Sequence, residues 1–237
     1  MRYSISLFQL WGFPIKVHWT FFLLVLGIML WSMYAGNALI EMLWHLFLIT
    51  LIFVCVILHE CGHAYAARRY DVPIRDILIL PIGGLARLEF IPKNPVKEVI
   101  IAIAGPLVNL VLAILFFVIY LLSDPSRGWD FTMEGIMSLS GLIAGLAVIN
   151  LTLFVFNLIP AYPMDGGRIL RAGLTPALGR FKATVLASYI AQFISFGFMI
   201  VGYFYYAISL VLIGIFIFLT ARWERKYLIQ VSRTEEE

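Results

Sequence analysis

Two histidines and a glutamate form the pattern in this sequence with the clearest chemical potential, His59-Glu60-x-x-His63. On a helix, residues four positions apart lie on one face, one turn above the other, so both imidazoles can bind one metal ion. Glu60 lies beside them and can accept a proton from an attacking water molecule. The spacing therefore predicts one zinc ion per chain, with His59 and His63 as ligands and Glu60 as the general base.

A catalytic zinc ion usually takes a third ligand from the protein and leaves one position open. An extended pattern with a third histidine six residues after His63 is not met, because that position is Arg69. Asp165 precedes a glycine pair, a setting that also suits a turn or a helix N-cap. Asp76 and Glu89 lie beside basic residues, which favours surface ion pairs. The residues alone leave the third ligand open among His18, His45, Asp71, Asp76, Glu89, Glu98 and Asp165.

The sequence around this pattern is unusually apolar. Hydrophobic residues make up 62% of the chain and charged residues only 13%, whereas soluble domains are about half apolar and a quarter charged. The 237 residues accommodate about six membrane-crossing helices of roughly 20 residues each. We therefore expect an all-α polytopic membrane protein, with six transmembrane helices and a small membrane-associated β-hairpin or sheet, forming a single membrane-embedded domain over residues 1–237.

The predicted spans cover residues 18–34, 42–63, 99–122, 138–159, 183–201 and 206–221. Between the second and third spans, residues 72–91 contain two short apolar runs separated by Pro81-Ile82-Gly83-Gly84, which predicts a β-hairpin. Gly83 and Gly84 suit a tight turn. In a second interpretation, the strand edge beside them binds an extended substrate segment by β-pairing.

Basic residues predict the orientation of the chain. With six spans, every lysine and arginine except Arg127 lies on the same side of the membrane. Because such residues accumulate on the cytoplasmic side, we expect a multi-pass protein of the cell membrane whose termini and active-site opening are cytoplasmic. The abundant aromatic residues are typical of lipid-facing and interfacial surface, and no pattern for nucleic-acid binding is present.

Five stretches of the sequence resemble the site-2 protease family of intramembrane zinc metalloproteases, in its core form without a PDZ or CBS module. They are residues 12–18, 59–63, 81–84, 104–109 and 157–167. The resemblance implies that Asp165 is the third zinc ligand. It also implies that Asn109 and Asn157 orient substrate or support the oxyanion, although amides within spans commonly just tie helices together.

The function that the resemblance implies is hydrolysis of a peptide bond within or near a transmembrane segment of a membrane protein substrate, as in regulated intramembrane proteolysis. Three alternatives are a membrane metallopeptidase acting on small or lipidated peptides, a metal transporter, and a catalytically silent membrane scaffold. A transporter would need more acidic or histidine residues deep in the spans than the sequence contains. The presence of Glu60 beside both histidines argues against a silent scaffold.

Overall fold

The computed structural model describes residues 4–90, 92, 94–123 and 138–234, with side chains described as far as Lys226. These residues form two compact units. Unit 1 comprises Met1–Ile91 and Ala104–Phe154, and unit 2 comprises Pro92–Ile103 and Val155–Glu237.

The described elements are four strands and seven helices. Unit 1 contains β1 (Ser4–Leu10), β2 (Phe13–His18), α1 (Thr20–Tyr34), α2 (Leu39–Arg68), β3 (Ile74–Leu80) and β4 (Gly83–Leu88). The next two helices have residues in both units, and they are α3 (Pro95–Ser123) and α4 (Leu139–Leu158). Unit 2 contains α5 (Asp165–Leu178), α6 (Arg180–Phe204) and α7 (Ile208–Thr234).

The strands form one sheet in the order β1-β2-β3-β4, in which a parallel β2–β3 pair joins two antiparallel hairpins. Helices α1 and α2 provide the long crossover that a parallel pair requires. The hairpin predicted within residues 72–91 is confirmed as β3–β4. The first hairpin, β1–β2, was not predicted, so the sheet has twice the expected number of strands.

The sheet packs on the C-terminal part of α2. Alternate side chains of β2, namely Phe13, Ile15 and Val17, are buried together with residues of β3 and with Cys61 and Ala64 of α2. Strand alternation places these three residues on one face, and their burial removes most of their apolar surface from water. Because α2 also carries the two histidines, this core fixes the sheet against the functional part of that helix.

Four described helices are long and apolar enough to cross a membrane, namely α2, α3, α4 and α6. They coincide with four of the six predicted spans. Helix α1 is apolar but has only 15 residues. Helix α7 carries Arg222, Glu224 and Arg225 in its C-terminal part. The described helices therefore support a membrane protein without establishing the number six.

A buried ion pair holds the two hairpins together. The carboxylate of Asp76 on β3 lies 2.8 Å from Nζ of Lys16 on β2 and 2.5 Å from Nε of Arg87 on β4. Burial alone would raise the pKa of Asp76, but hydrogen bonds from Arg87 and Lys16 and their charges hold that pKa below its ordinary value. The expected ion pair is present, but it is not at the surface, because β3 is an inner strand and its Asp76 side chain is fully buried.

We expect Asp76→Asn to lower the free energy of unfolding by about 2 kcal/mol at pH 7, since two cations lose their carboxylate partner. The folded-state pKa lies below the unfolded-state value of about 3.8. The stabilisation is therefore complete at neutral pH and is lost as the pH falls through the folded-state pKa. Thermal unfolding in detergent at several pH values measures this difference. Asp71→Asn, at an exposed aspartate, is the control, and an equal loss from both variants would contradict the expectation.

Candidate metal centre

The two histidines of the motif lie in the C-terminal third of α2, and both are buried. Nε2 of His59 lies 3.1 Å from Nε2 of His63, and the two ring planes are 82° apart. Two nitrogens bound to one tetrahedral zinc ion at about 2.05 Å lie roughly 3.3 Å apart. The spacing of the two nitrogens therefore fits one shared metal ion.

A chain of amides holds His59 in the orientation that metal binding needs. Nδ2 of Asn109 donates to Oδ1 of Asn150 at 2.8 Å, so Oδ1 of Asn109 faces Nδ1 of His59, with which it makes a hydrogen bond. Asn150 in turn donates to the carbonyl of Leu146 at 2.8 Å. With its proton on Nδ1, His59 presents an unprotonated Nε2, which is the form that binds a metal.

Gly105 of α3 leaves space beside the two imidazoles. A Cβ at this position would overlap Nε2 of His63 and would lie 2.7 Å from Nε2 of His59. Both nitrogens that could bind metal therefore border a space that any residue larger than glycine would fill. This cradle, together with two imidazole nitrogens 3.1 Å apart, fits a zinc ion.

Glu60 lies between the helix and the edge of the sheet. Its Oε2 accepts a hydrogen bond of 2.6 Å from the backbone N–H of Ala86 on β4, a strand whose described strand partner is β3. A Cβ at Gly84 would lie 2.5 Å from Cγ of Glu60, so this glycine makes room for the glutamate. Gly83, with φ of +137°, is the glycine that the turn itself requires.

In unit 2, Asp165 is the first residue of α5 and is only 7% exposed. Nη1 of Arg168 lies 3.8 Å from its Oδ1. A Cβ at the neighbouring Gly166 would overlap the carbonyl oxygens of Leu158 and Ile159, so glycine allows α5 to begin directly against the end of α4. This packing fixes the position of the Asp165 carboxylate. Asn157, near the end of α4, is half-buried.

Several of the other candidates for a third ligand have different partners. Glu98 pairs with Arg171, and both side chains are buried within unit 2. Nδ1 of His18 lies 2.8 Å from the hydroxyl of Thr20, and Asp76 belongs to the buried ion pair of the sheet. Three of the seven candidates therefore have protein partners that explain their positions, and none of these contacts requires a metal ion.

Comparison with known proteins identifies the family. Residues 47–202 match the sequence pattern described as Peptidase family M50. The chain belongs to peptidase family M50. The matched region contains the His59-Glu60-x-x-His63 motif and Asp165, which confirms the family that the sequence resemblance indicated.

Two M50 relatives show the extent of the similarity. The zinc metalloprotease MJ0392 of Methanocaldococcus jannaschii is 39% identical over 226 residues, which are 95% of this chain and 62% of that protein. The putative zinc metalloprotease Rip3 of Mycobacterium tuberculosis is 30% identical over 94% of this chain and 59% of that protein. This chain therefore spans about three-fifths of the length of these relatives. Zinc is the metal in both names, and the histidine pair fits it.

A solved structure has the same fold as this M50 chain. The site-2 protease from Methanocaldococcus jannaschii matches it with a TM-score of 0.69 and 38% identity, over 94% of this chain and 95% of that one. Together with the four long apolar helices, this similarity makes the protein an integral membrane protein that resides in a lipid bilayer.

Sequence reasoning missed the contribution of Gly105 to this M50 site. The residue lies in the 104–109 stretch, but its importance depends on how closely α3 approaches α2, which no local pattern reveals. The geometry of Asn109 favours a role in orienting His59. Its predicted role in substrate or oxyanion binding stays a prediction, as does that of Asn157.

Proposed function

We propose that this M50 protein is an intramembrane zinc metalloprotease that hydrolyses a peptide bond within or near a transmembrane segment of another membrane protein. The observation that carries the proposal is the pair of imidazole nitrogens 3.1 Å apart on a membrane-crossing helix, beside the buried Glu60. Five of the six matched relatives are named as zinc metalloproteases, four of them as putative ones, and these names support the proposal.

The proposed ligands are His59, His63 and Asp165. The burial of Asp165, its place at the tightly packed start of α5 and the resemblance of residues 157–167 to the family pattern support its role as the third ligand. When bound, zinc supplies a Lewis acid that polarises a water molecule and the scissile carbonyl. The remaining chemistry belongs to the protein's own side chains.

Glu60 is the proposed general base. Its carboxylate accepts the proton of the attacking water and later passes that proton to the nitrogen of the leaving amine. Glu60 follows His59 directly on α2, so the base is held next to a ligand. Successive side chains of a helix point about 100° apart, so Glu60 is not aligned with the two histidines that bind the metal. Placement on α2, rather than on a loop, keeps this geometry rigid.

Strand β4 is the proposed docking edge for the substrate. A backbone carbonyl of an extended segment that pairs with β4 would accept the hydrogen bond from the N–H of Ala86. In the structure, Oε2 of Glu60 accepts this hydrogen bond at 2.6 Å. Binding of the substrate to β4 would then release Glu60 from Ala86 and so free it to act as the general base. Gly84 keeps this region free of side chains, Gly83 allows the turn before it, and Asn109 and Asn157 are further proposed contributors to substrate or oxyanion binding.

The proposed topology has six spans, with α1 and α7 added to the four long apolar helices. The distribution of lysine and arginine supports this count and a cytoplasmic position of both termini and of the active-site opening. With this arrangement, water reaches the site from the cytoplasm. The single domain predicted over residues 1–237 is part of the same proposal.

A helical substrate hides its carbonyls in intrahelical hydrogen bonds, so we expect it to be cut where Gly, Pro or Asn lets it unwind. The protein, reconstituted in liposomes with a single-span substrate, should cleave it, lose activity with a zinc chelator and regain activity with added zinc. Replacing two glycines near the cut by leucine should slow cleavage about 30-fold, because each replacement favours the helix by nearly 1 kcal/mol.

The control substrate carries the same two replacements one helical turn from the opposite membrane face, and its cleavage should be unchanged. Equal rates for all three substrates would overturn the requirement for unwinding. Preferential cleavage of a short soluble peptide over the membrane substrate would favour the alternative, a peptidase of small or lipidated peptides.

A further inference from the structure

An apolar groove lies on unit 1, on a different face of α2 from the metal centre. Its volume is about 550 Å³. It is lined by Trp11, Phe13, Leu58, Cys61, Gly62, Tyr65, Arg68 and Val108. Among the residues that the structure describes, none of those lining the groove is a carboxylate, and Arg68 is the one charged residue of this lining.

Helix geometry separates the groove from the catalytic residues. Leu58, Tyr65 and Arg68 follow one another at intervals of seven and three residues, with Cys61 and Gly62 between them, which places them along one face of α2. At about 100° per residue, His59, Glu60 and His63 lie on the opposite face. The groove is therefore a second surface of the same helix and is not part of the proposed active site.

The length of the groove matches one leaflet of a bilayer. Leu58 and Arg68 are ten residues apart, so the α2 side of the groove is about 15 Å long. The hydrocarbon core of a bilayer is about 30 Å thick, and one leaflet supplies half of it. Arg68 is the last residue of α2, a helix long and apolar enough to cross a membrane. Arginines at the end of such a helix mark the membrane interface. An acyl chain along the groove would thus place its headgroup at the guanidinium.

The mouth of the groove is built from an unusual turn. Trp11 and Gly12, between β1 and β2, have φ values of +50° and +86°, a conformation that normally selects glycine or asparagine and is strained for a bulky residue. The Trp11 side chain is 63% exposed. Its carbonyl accepts a hydrogen bond of 3.4 Å from Nη1 of Arg68, which holds the guanidinium at the mouth. Exposed indoles favour the bilayer interface.

We propose that this groove binds one anionic phospholipid, with its phosphate on Arg68 and an acyl chain along the apolar lining. The charges of the site select the headgroup. Arg69 follows Arg68, is exposed and lies over the ring of Tyr65, with 5.7 Å between its Cζ and the ring centroid. Two adjacent guanidinium groups attract a net negative headgroup and repel the cationic end of a choline headgroup.

Tryptophan quenching by brominated lipid tests the proposal. The full chain with bound zinc is placed in phosphatidylcholine nanodiscs that contain a rising fraction of phosphatidylglycerol with brominated acyl chains. The difference between wild type and Trp11→Phe isolates the signal of Trp11 among the six tryptophans. We expect this signal to be quenched at a lower mole fraction of brominated phosphatidylglycerol than of brominated phosphatidylcholine.

Arg68→Gln should raise the mole fraction for half-quenching about fivefold, and Arg68→Lys should have a smaller effect because it keeps the charge. Arg75→Gln, at an exposed arginine of β3, is the matched control and should behave like wild type. Equal quenching by the two lipids, or quenching that Arg68→Gln leaves unchanged, would overturn the proposal. The scaffold protein of the nanodiscs is the same in every sample, so it cannot produce a difference between the two lipids or between wild type and Arg68→Gln.

Discussion

Replacing Glu60 by glutamine should slow cleavage of a membrane-embedded substrate by about 1000-fold, while the zinc content per chain stays unchanged. A glutamine at this position cannot accept a proton from the attacking water. Its side-chain oxygen can still accept the N–H of Ala86, so the contact between α2 and β4 is kept. Since the two side chains differ only in one oxygen that becomes an amide nitrogen, the substitution removes the proton acceptor and keeps the structural hydrogen bond. Turnover in liposomes and metal analysis of the purified protein measure the two quantities.

The matched control is Glu89→Gln, which makes the same chemical change at an exposed glutamate just after β4. This variant should cleave substrate at the wild-type rate. Cleavage by Glu60→Gln at the wild-type rate would show that Glu60 is not the general base. If Glu60→Gln instead lost its zinc, Glu60 would be a metal ligand, and the general base would be another residue.

The histidine pair was predictable because the helix repeat alone brings its side chains together. Residues four apart on α2 must share a face, so His59 and His63 needed no tertiary information. Other parts of the site depend on contacts between distant residues. Asn109 reaches His59 across 50 positions of sequence, and Asn150 supports it from α4. An asparagine in an apolar helix indicates a polar partner, but sequence spacing does not reveal which one.

The fold shows the same division between local and long-range information. The β3–β4 hairpin was predictable from two apolar runs around a glycine pair, since its strands pair with each other. Strand β2 is only six residues long and pairs in parallel with β3, about 60 residues later. The alternation of Phe13, Ile15 and Val17 was a usable signal that was not interpreted as a strand. The number of spans also cannot be read from local sequence alone, because α1 has only 15 residues and is shorter than a typical membrane-crossing helix.

Gly105→Ala should weaken zinc binding by about 100-fold, the upper end of the effect of losing a group that orients a ligand. The added methyl group would overlap Nε2 of His63 and lie 2.7 Å from Nε2 of His59, in the space that a shared ion requires. Helix α3 itself should tolerate the change, because alanine favours helix more than glycine does. The imidazoles must therefore turn away from each other, or α3 must move away from α2. Competition with a chelator of known affinity measures zinc binding without recourse to activity.

Gly145→Ala on α4 provides the comparison, since a Cβ there has no neighbouring atom within 4 Å. Both variants exchange a helical glycine for alanine, so both gain the same helix propensity and differ only in what the methyl group meets. The alanine at position 145 should leave zinc affinity unchanged, and the one at position 105 should lower it while the helical circular dichroism signal is retained. Wild-type zinc affinity in a folded Gly105→Ala protein would show that metal binding does not need this space, and that the ion lies on another side of the histidine pair.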